Sequence, residues 1–153
     1  MLYFAYGSNM DAPQLRERLA RHGETLHERR HGILHGYRLE FNKVAARMPW
    51  IGFANIVRDP EHCVEGTINR VSPGGLRALD KIELVPLHYA RVEVDVVDTL
   101  TGAPQRASVY VGNPDMLRPA LKPTRDYLAH LLAASDVLST AYLGRLRAVP
   151  CCD

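Results

Sequence analysis

The stretch that decides the fold is Leu2-Tyr3-Phe4-Ala5-Tyr6-Gly7-Ser8-Asn9-Met10. Its first half is apolar, aromatic and rich in strand formers, and it breaks abruptly into Gly7-Ser8-Asn9. That order predicts a buried strand over residues 2–6 delivering a small-residue turn to one place. Glycine at position 7 permits close backbone approach to a ligand, or φ > 0. Successive backbone N–H groups in such a turn form an anion-binding concavity. A helical pattern follows over residues 11–22, with Asp11 as its cap, Pro13 in its first turn, Leu15 and Leu19 on one face, and Gly23 as its stop. Its positive end is expected at the same turn. An ordinary strand–turn–helix junction has the same pattern, so the turn alone does not define a site.

Outward from this stretch, residues 36–41 alternate as a strand with Tyr37, Leu39 and Phe41 on one side. Residues 43–52 have no period and read as a surface loop. Strand character resumes over residues 53–57, turns at Asp59-Pro60, and returns over residues 63–71, where Gly66 marks a bulge or a close approach. Ser72 and Pro73 open a short helix on which Leu76, Leu79, Ile82 and Glu83 fall at helical spacing. Residues 88–99 alternate strongly and pair across Thr101-Gly102 with residues 107–111. Two amphipathic helices are expected at residues 123–134 and 138–148, separated at Ser135-Asp136. Hairpin-connected strands outnumber helices, which predicts an α+β fold with a curved or closed sheet.

A chain of 153 residues suits one domain spanning residues 1–153 and buries roughly two-thirds of its unfolded surface. Its 46% hydrophobic and 24% charged residues are those of an ordinary globular protein. A net charge of +2 gives no electrostatic footprint for nucleic acid or an anionic membrane. Cys63 is isolated and Cys151-Cys152 adjoin in what reads as a frayed tail, so no disulfide framework is indicated. With no secretory pattern and no apolar run of spanning length, the cytoplasm is the expected location.

Glu83 is the carboxylate that stands out, flanked by Ile82, Leu84 and Val85. An ordinary Glu titrates near ~4.3, and burial among apolar neighbours would raise it toward the range useful for a base. The bland alternative is a helix-end Glu with its head in water. His27, His31 and His35 would line one helix face as metal ligands, but Gly32 and Gly36 interrupt that helix, and a solvated loop is the expectation. Arg29-Arg30 reads as a solvated charge pair rather than a phosphate site. Ser8 lacks the GxSxG elbow of a serine nucleophile.

Tyr3-Phe4-Ala5-Tyr6-Gly7-Ser8-Asn9-Met10 resembles the signature loop of the γ-glutamylcyclotransferase family. Leu76-Arg77-Ala78-Leu79-Asp80-Lys81-Ile82-Glu83 resembles its second hallmark, a short helix carrying the catalytic Glu. The intervening and following strands, and a C-terminal segment with Pro123 and Tyr127, come in the family's order, so the resemblance covers nearly the whole chain. It implies a small mixed β-barrel flanked by helices, and release of 5-oxoproline from a γ-glutamyl compound without metal or cofactor. It implies Glu83 as the catalytic acid/base, and Tyr3, Phe4, Ala5, Tyr6, Gly7, Ser8 and Asn9 as substrate-binding residues, with Tyr110 and Gly112 carried over from the strand before the next loop. The YGSN form of the loop is similar to the branch acting on γ-glutamyl amino acids or γ-glutamyl-protected amines. One departure stands out: relatives often have Gly directly after the catalytic Glu, where this chain has Leu84. The partners implied are a small-molecule γ-glutamyl substrate, with no nucleic acid and no membrane, in a monomer or homodimer. The rival expectations are a non-catalytic ligand-binding module of the same fold, an enzyme removing a γ-glutamyl protecting group in a biosynthetic pathway, and a metal hydrolase on the histidine row.

Overall fold

Period-two alternation in the first strand sorts the two hydrophobic cores. In β1 (Leu2–Ala5), Phe4 points into one buried cluster, while Tyr3 and Ala5 point into another. The computed structural model describes residues 1–153. Its other elements are α1 (Ala12–Ala20), β2 (Glu28–Val44), β3 (Gly52–Arg70), α2 (Pro73–Ile82), β4 (Tyr89–Asp98), β5 (Pro104–Gly112), α3 (Arg125–Leu132) and α4 (Thr140–Arg147). The strands close a barrel in the order β1-β3-β2-β4-β5. β1 lies antiparallel to β3 and meets β5 in parallel at Tyr3 and Ser108, so the barrel is mixed, as expected.

Phe4, Tyr6, Leu34, Ile56, Val64, Val96 and Val109 fill the barrel interior. The second cluster lies between the barrel wall and the helices, where Tyr3 and Ala5 meet Leu15 and Leu19 of α1, Leu76 and Leu79 of α2, Leu131 of α3 and Leu143 of α4. Each such Leu contributes about 1.5–3 kcal/mol when fully buried. Asp11 and Ser72 cap their helices as the sequence predicts, and Thr124 and Ser139 likewise accept a backbone N–H at the N-termini of α3 and α4. Gly66 allows a close approach of β1 and β3, since a Cβ there would stand 2.3 Å from the Ala5 carbonyl oxygen and 2.7 Å from the Phe4 ring.

Several local expectations are corrected. His31, His35, Arg29 and Arg30 lie in β2, not in a solvated loop. The ladder to β3, running from Glu28 opposite Arg70 to Val44 opposite Gly52, outweighs the helix-breaking effect of Gly32 and Gly36. Gly36, at φ +82°, sits at the register shift between His35 and Tyr37, opposite an excursion of β3 over residues 59–62. The turn expected at Asp59-Pro60 is that excursion, inside a continuing strand. His31 bonds Glu65 and Thr99, Arg29 pairs with Asp136, and Arg30 pairs with Glu28 and Asp98. Both arginines are therefore tied into the structure by ion pairs, Arg29 largely buried and Arg30 still partly exposed. The C-terminal residues are also tied down: Cys152 N–H donates to the Pro123 carbonyl at 3.0 Å, and Cys151 packs against the helical cluster.

Candidate active site

At the end of β1 the chain leaves the barrel through Tyr6 and Gly7 and makes one 3₁₀ turn over Ser8–Met10. Gly7 has φ −114°, so the turn uses its small size rather than a left-handed backbone. A Cβ at this position would come within 3.2 Å of both the Ala54 Cβ and the Tyr127 hydroxyl. The backbone N–H groups of Gly7 and Asn9 have no acceptor within the chain. α1 starts beyond this turn, and the Asp11 carboxylate takes the Gln14 N–H at its N-terminus, so the helix end is already capped.

Glu83 arrives from the other end of the sequence at the C-cap of α2. Leu84 N–H donates to the Lys81 carbonyl and Val85 N–H to the Asp80 carbonyl, the paired bonds of a Schellman termination. That motif requires a left-handed residue directly after the cap, and Leu84 fills it at φ +53°. The conformation costs a non-glycine residue roughly 1–2 kcal/mol, which accounts physically for a preference for Gly at this position.

The two halves meet through Asn9, whose side chain is only 2% exposed. Its Nδ2 donates to Glu83 Oε1 at 3.1 Å and to the Tyr3 hydroxyl at 3.0 Å. Its Oδ1 accepts from Arg18 Nη1 at 2.7 Å, which fixes the amide orientation, and Arg18 also reaches Ser8 Oγ at 3.3 Å. Burial pushes the Glu83 carboxyl above its ordinary range, opposed by Arg18, Lys43 and the Asn9 hydrogen bond.

Around this pair lies a cavity of about 440 Å³, within the size range of small-molecule sites. Tyr3, Phe4, Tyr6, Gly7, Ser8, Asn9, Glu83 and Tyr110, all residues that the resemblance points to, line it. Ala5 and Gly112 do not. Ala5 faces the helical cluster, and Gly112 packs against Leu117 and donates its N–H to Asn55 Oδ1 at 2.8 Å. The tyrosine hydroxyls brace the wall: Tyr6 donates to the Tyr110 carbonyl, Tyr89 to the Ala54 carbonyl, and Tyr127 accepts the Ala54 N–H while its ring stacks on Phe53 at 4.7 Å. Burial raises the pKa of Tyr3, Tyr6, Tyr89 and Tyr127, which keeps their hydroxyls neutral at physiological pH.

Sequence reasoning misses Lys43, whose segment reads as a surface loop. It lies in β2 just past a one-residue bulge, 3% exposed and lining the cavity. Its Nζ donates to His88 Nδ1 at 2.7 Å and lies 4.9 Å from the centre of the Tyr89 ring and 5.7 Å from that of Phe53. Burial lowers its pKa to about 8, partly countered by Glu83. The signal available was parity: Lys43 continues the alternation of Leu39 and Phe41, which face the core.

Fold and site together define an α+β barrel protein with a pocket of small-molecule size, in which a small-residue turn faces one desolvated carboxylate. The chain belongs to the gamma-glutamyl cyclotransferase, AIG2-like family, whose sequence profile matches residues 3–129. Among solved structures, a gamma-glutamyl cyclotransferase superposes with a TM-score of 0.85 at 22% identity, covering 100% of this chain and 89% of its own. An uncharacterized human protein superposes with the same TM-score at 23% identity, covering 99% and 89%. A yeast gamma-glutamyl cyclotransferase specific to glutathione gives 0.66 at 16% identity, covering 95% and 93%. At these identities the likenesses establish the fold. Comparison with curated proteins gives no match.

Proposed function

We propose that the protein releases 5-oxoproline and a free amine from a γ-glutamyl compound, with Glu83 as the proton carrier. The observation that carries this reading is the Asn9–Glu83 hydrogen bond, which joins the turn to a desolvated carboxylate 74 residues away. The free N–H groups of Gly7 and Asn9 suit the substrate's α-carboxylate. The raised Glu83 carboxylate takes a proton from the α-ammonium, and the freed nitrogen attacks the γ-carbonyl carbon. As the tetrahedral adduct collapses, the bond from that carbon to the leaving nitrogen breaks. The proton on Glu83 and the surplus proton of the ring nitrogen depart with the leaving group, which exits as an ammonium ion. Nucleophile and electrophile belong to one molecule, so the pocket's main task is to hold a ring-closing conformer, worth on the order of 10⁵ M or more in effective molarity.

The test is release of 5-oxoproline from a panel of γ-glutamyl compounds by the wild type and by Glu83→Gln. Gln keeps the acceptor for Asn9 but cannot carry the proton, so turnover should fall by about 10²–10⁴ with the fold intact. Turnover near wild type in that variant, or no 5-oxoproline from any compound with the wild type, would overturn the reading.

A further inference from the structure

Lys43 is a buried ammonium whose only hydrogen-bond partner is the neutral ring nitrogen of His88, and no carboxylate lies within ion-pair distance of it. Taking a charge out of water without an anionic partner is costly, and two aromatic faces recover only part of that cost. Glu83 acts on this ammonium across the cavity without touching it, so its head has no anion in contact until one arrives from outside. Because the ammonium donates to His88 Nδ1, the proton of the neutral imidazole sits on Nε2, so His88 adds a second donor to the same wall.

This wall and the turn are built from different elements of the fold. Lys43 stands on β2 and rests on Phe53 of β3 and Tyr89 of β4, with His88 just before β4. The turn at Gly7 and Asn9 supplies its own backbone donors, and its neighbouring cation, Arg18, is already engaged by Ser8 and Asn9. The cavity therefore has two stations for negative charge, with Glu83 as the proton carrier. A γ-glutamyl amine has one carboxylate, whereas a γ-glutamyl amino acid has one at each end.

We propose that Lys43 receives the carboxylate of the departing amine, which makes it a specificity-determining residue selecting γ-glutamyl amino acids over γ-glutamyl amines that lack this group. The inference rests on the γ-glutamyl reading of the pocket given above. It is tested with a matched pair, γ-glutamylalanine and γ-glutamylalaninamide, which differ only in the charge of the leaving group.

Wild type should favour the carboxylate compound in kcat/KM by about 10- to 100-fold, the range of a hydrogen bond to a charged group. In Lys43→Met this ratio should fall to within about threefold of unity, and Lys43→Arg, which keeps the charge, should retain most of it. Lys43→Gln repeats the measurement with a neutral polar side chain if the Met variant does not fold. A wild-type ratio near unity overturns the proposal. So does an equal loss on both compounds in Lys43→Met with the ratio preserved, since Lys43 would then hold the γ-glutamyl part that both share. No release from either compound by the wild type overturns the cyclotransferase reading, and this proposal with it.

Discussion

Asn9→Asp replaces one NH₂ by an oxygen at the contact that joins the two halves of the site. Asn9 Nδ2 stands 3.1 Å from Glu83 Oε1, so the substitution sets two carboxyl groups at hydrogen-bond distance. Two negative charges about 3 Å apart at an effective dielectric of about 20 repel by roughly 5 kcal/mol. Arg18, 2.7 Å from the other oxygen of the same side chain, offsets a repulsion of that size for one negative charge but not for two. The pair therefore keeps one shared proton well above the pH at which an isolated carboxyl loses it, and it titrates as a unit. Activity that needs ionised Glu83 should then have its acid limb moved to higher pH by more than about 1 unit, read from 5-oxoproline release as kcat against pH.

Stability gives a second readout with a defined sign. A carboxyl whose pKa is raised by folding carries no penalty below its unfolded value of about 4.3. The penalty builds as pH rises above that value and is complete once pH passes the folded value. Asn9→Asp should therefore match wild type in Tm near pH 4 and fall progressively below it toward pH 8. An unmoved acid limb together with a constant Tm difference would refute the placement of Asn9 against Glu83.

Gly66→Ala drives a methyl group into the Ala5 carbonyl and the Phe4 ring, where the backbone oxygen cannot step aside. A loss of about 2–3 kcal/mol, near 4–12 °C in Tm, is expected by thermal unfolding, and a neutral result would mean that β1 and β3 do not approach as described. At Leu84, φ +53° is harder for a β-branched residue than for leucine, so Leu84→Val should lower stability by about 1 kcal/mol relative to Leu84→Gly, measured by denaturant titration. The reverse order would show that Leu84 is held by its side chain rather than by the Schellman geometry.

How far the site was legible in the sequence depended on how local its signals were. The strand and turn at residues 2–10 declare themselves through strand formers followed by small residues, and Glu83 declares itself as the last position of a capped apolar helix. Neither required knowledge of a partner. β2 did, because Gly32 and Gly36 argue against any regular element until β3 supplies the ladder from Arg70 to Gly52. Lys43 was hidden for a related reason: a lysine after residues 36–41 reads as a strand giving way to a loop, and its parity with Leu39 and Phe41 counts only once the pairing with Phe53 continues the strand. The helix-on-barrel contacts of Arg29 with Asp136 and of Glu65 with Ser139 join residues 107 and 74 positions apart, beyond any periodic pattern. What pattern could not supply, energetics does. A fold gains nothing in stability by desolvating a carboxylate at Glu83 and, in the same cavity, an ammonium at Lys43 too far away to pair with it. Both groups cost the folded state free energy at neutral pH, and both face the one cavity where a ligand bearing an ammonium and a carboxylate would offset that cost.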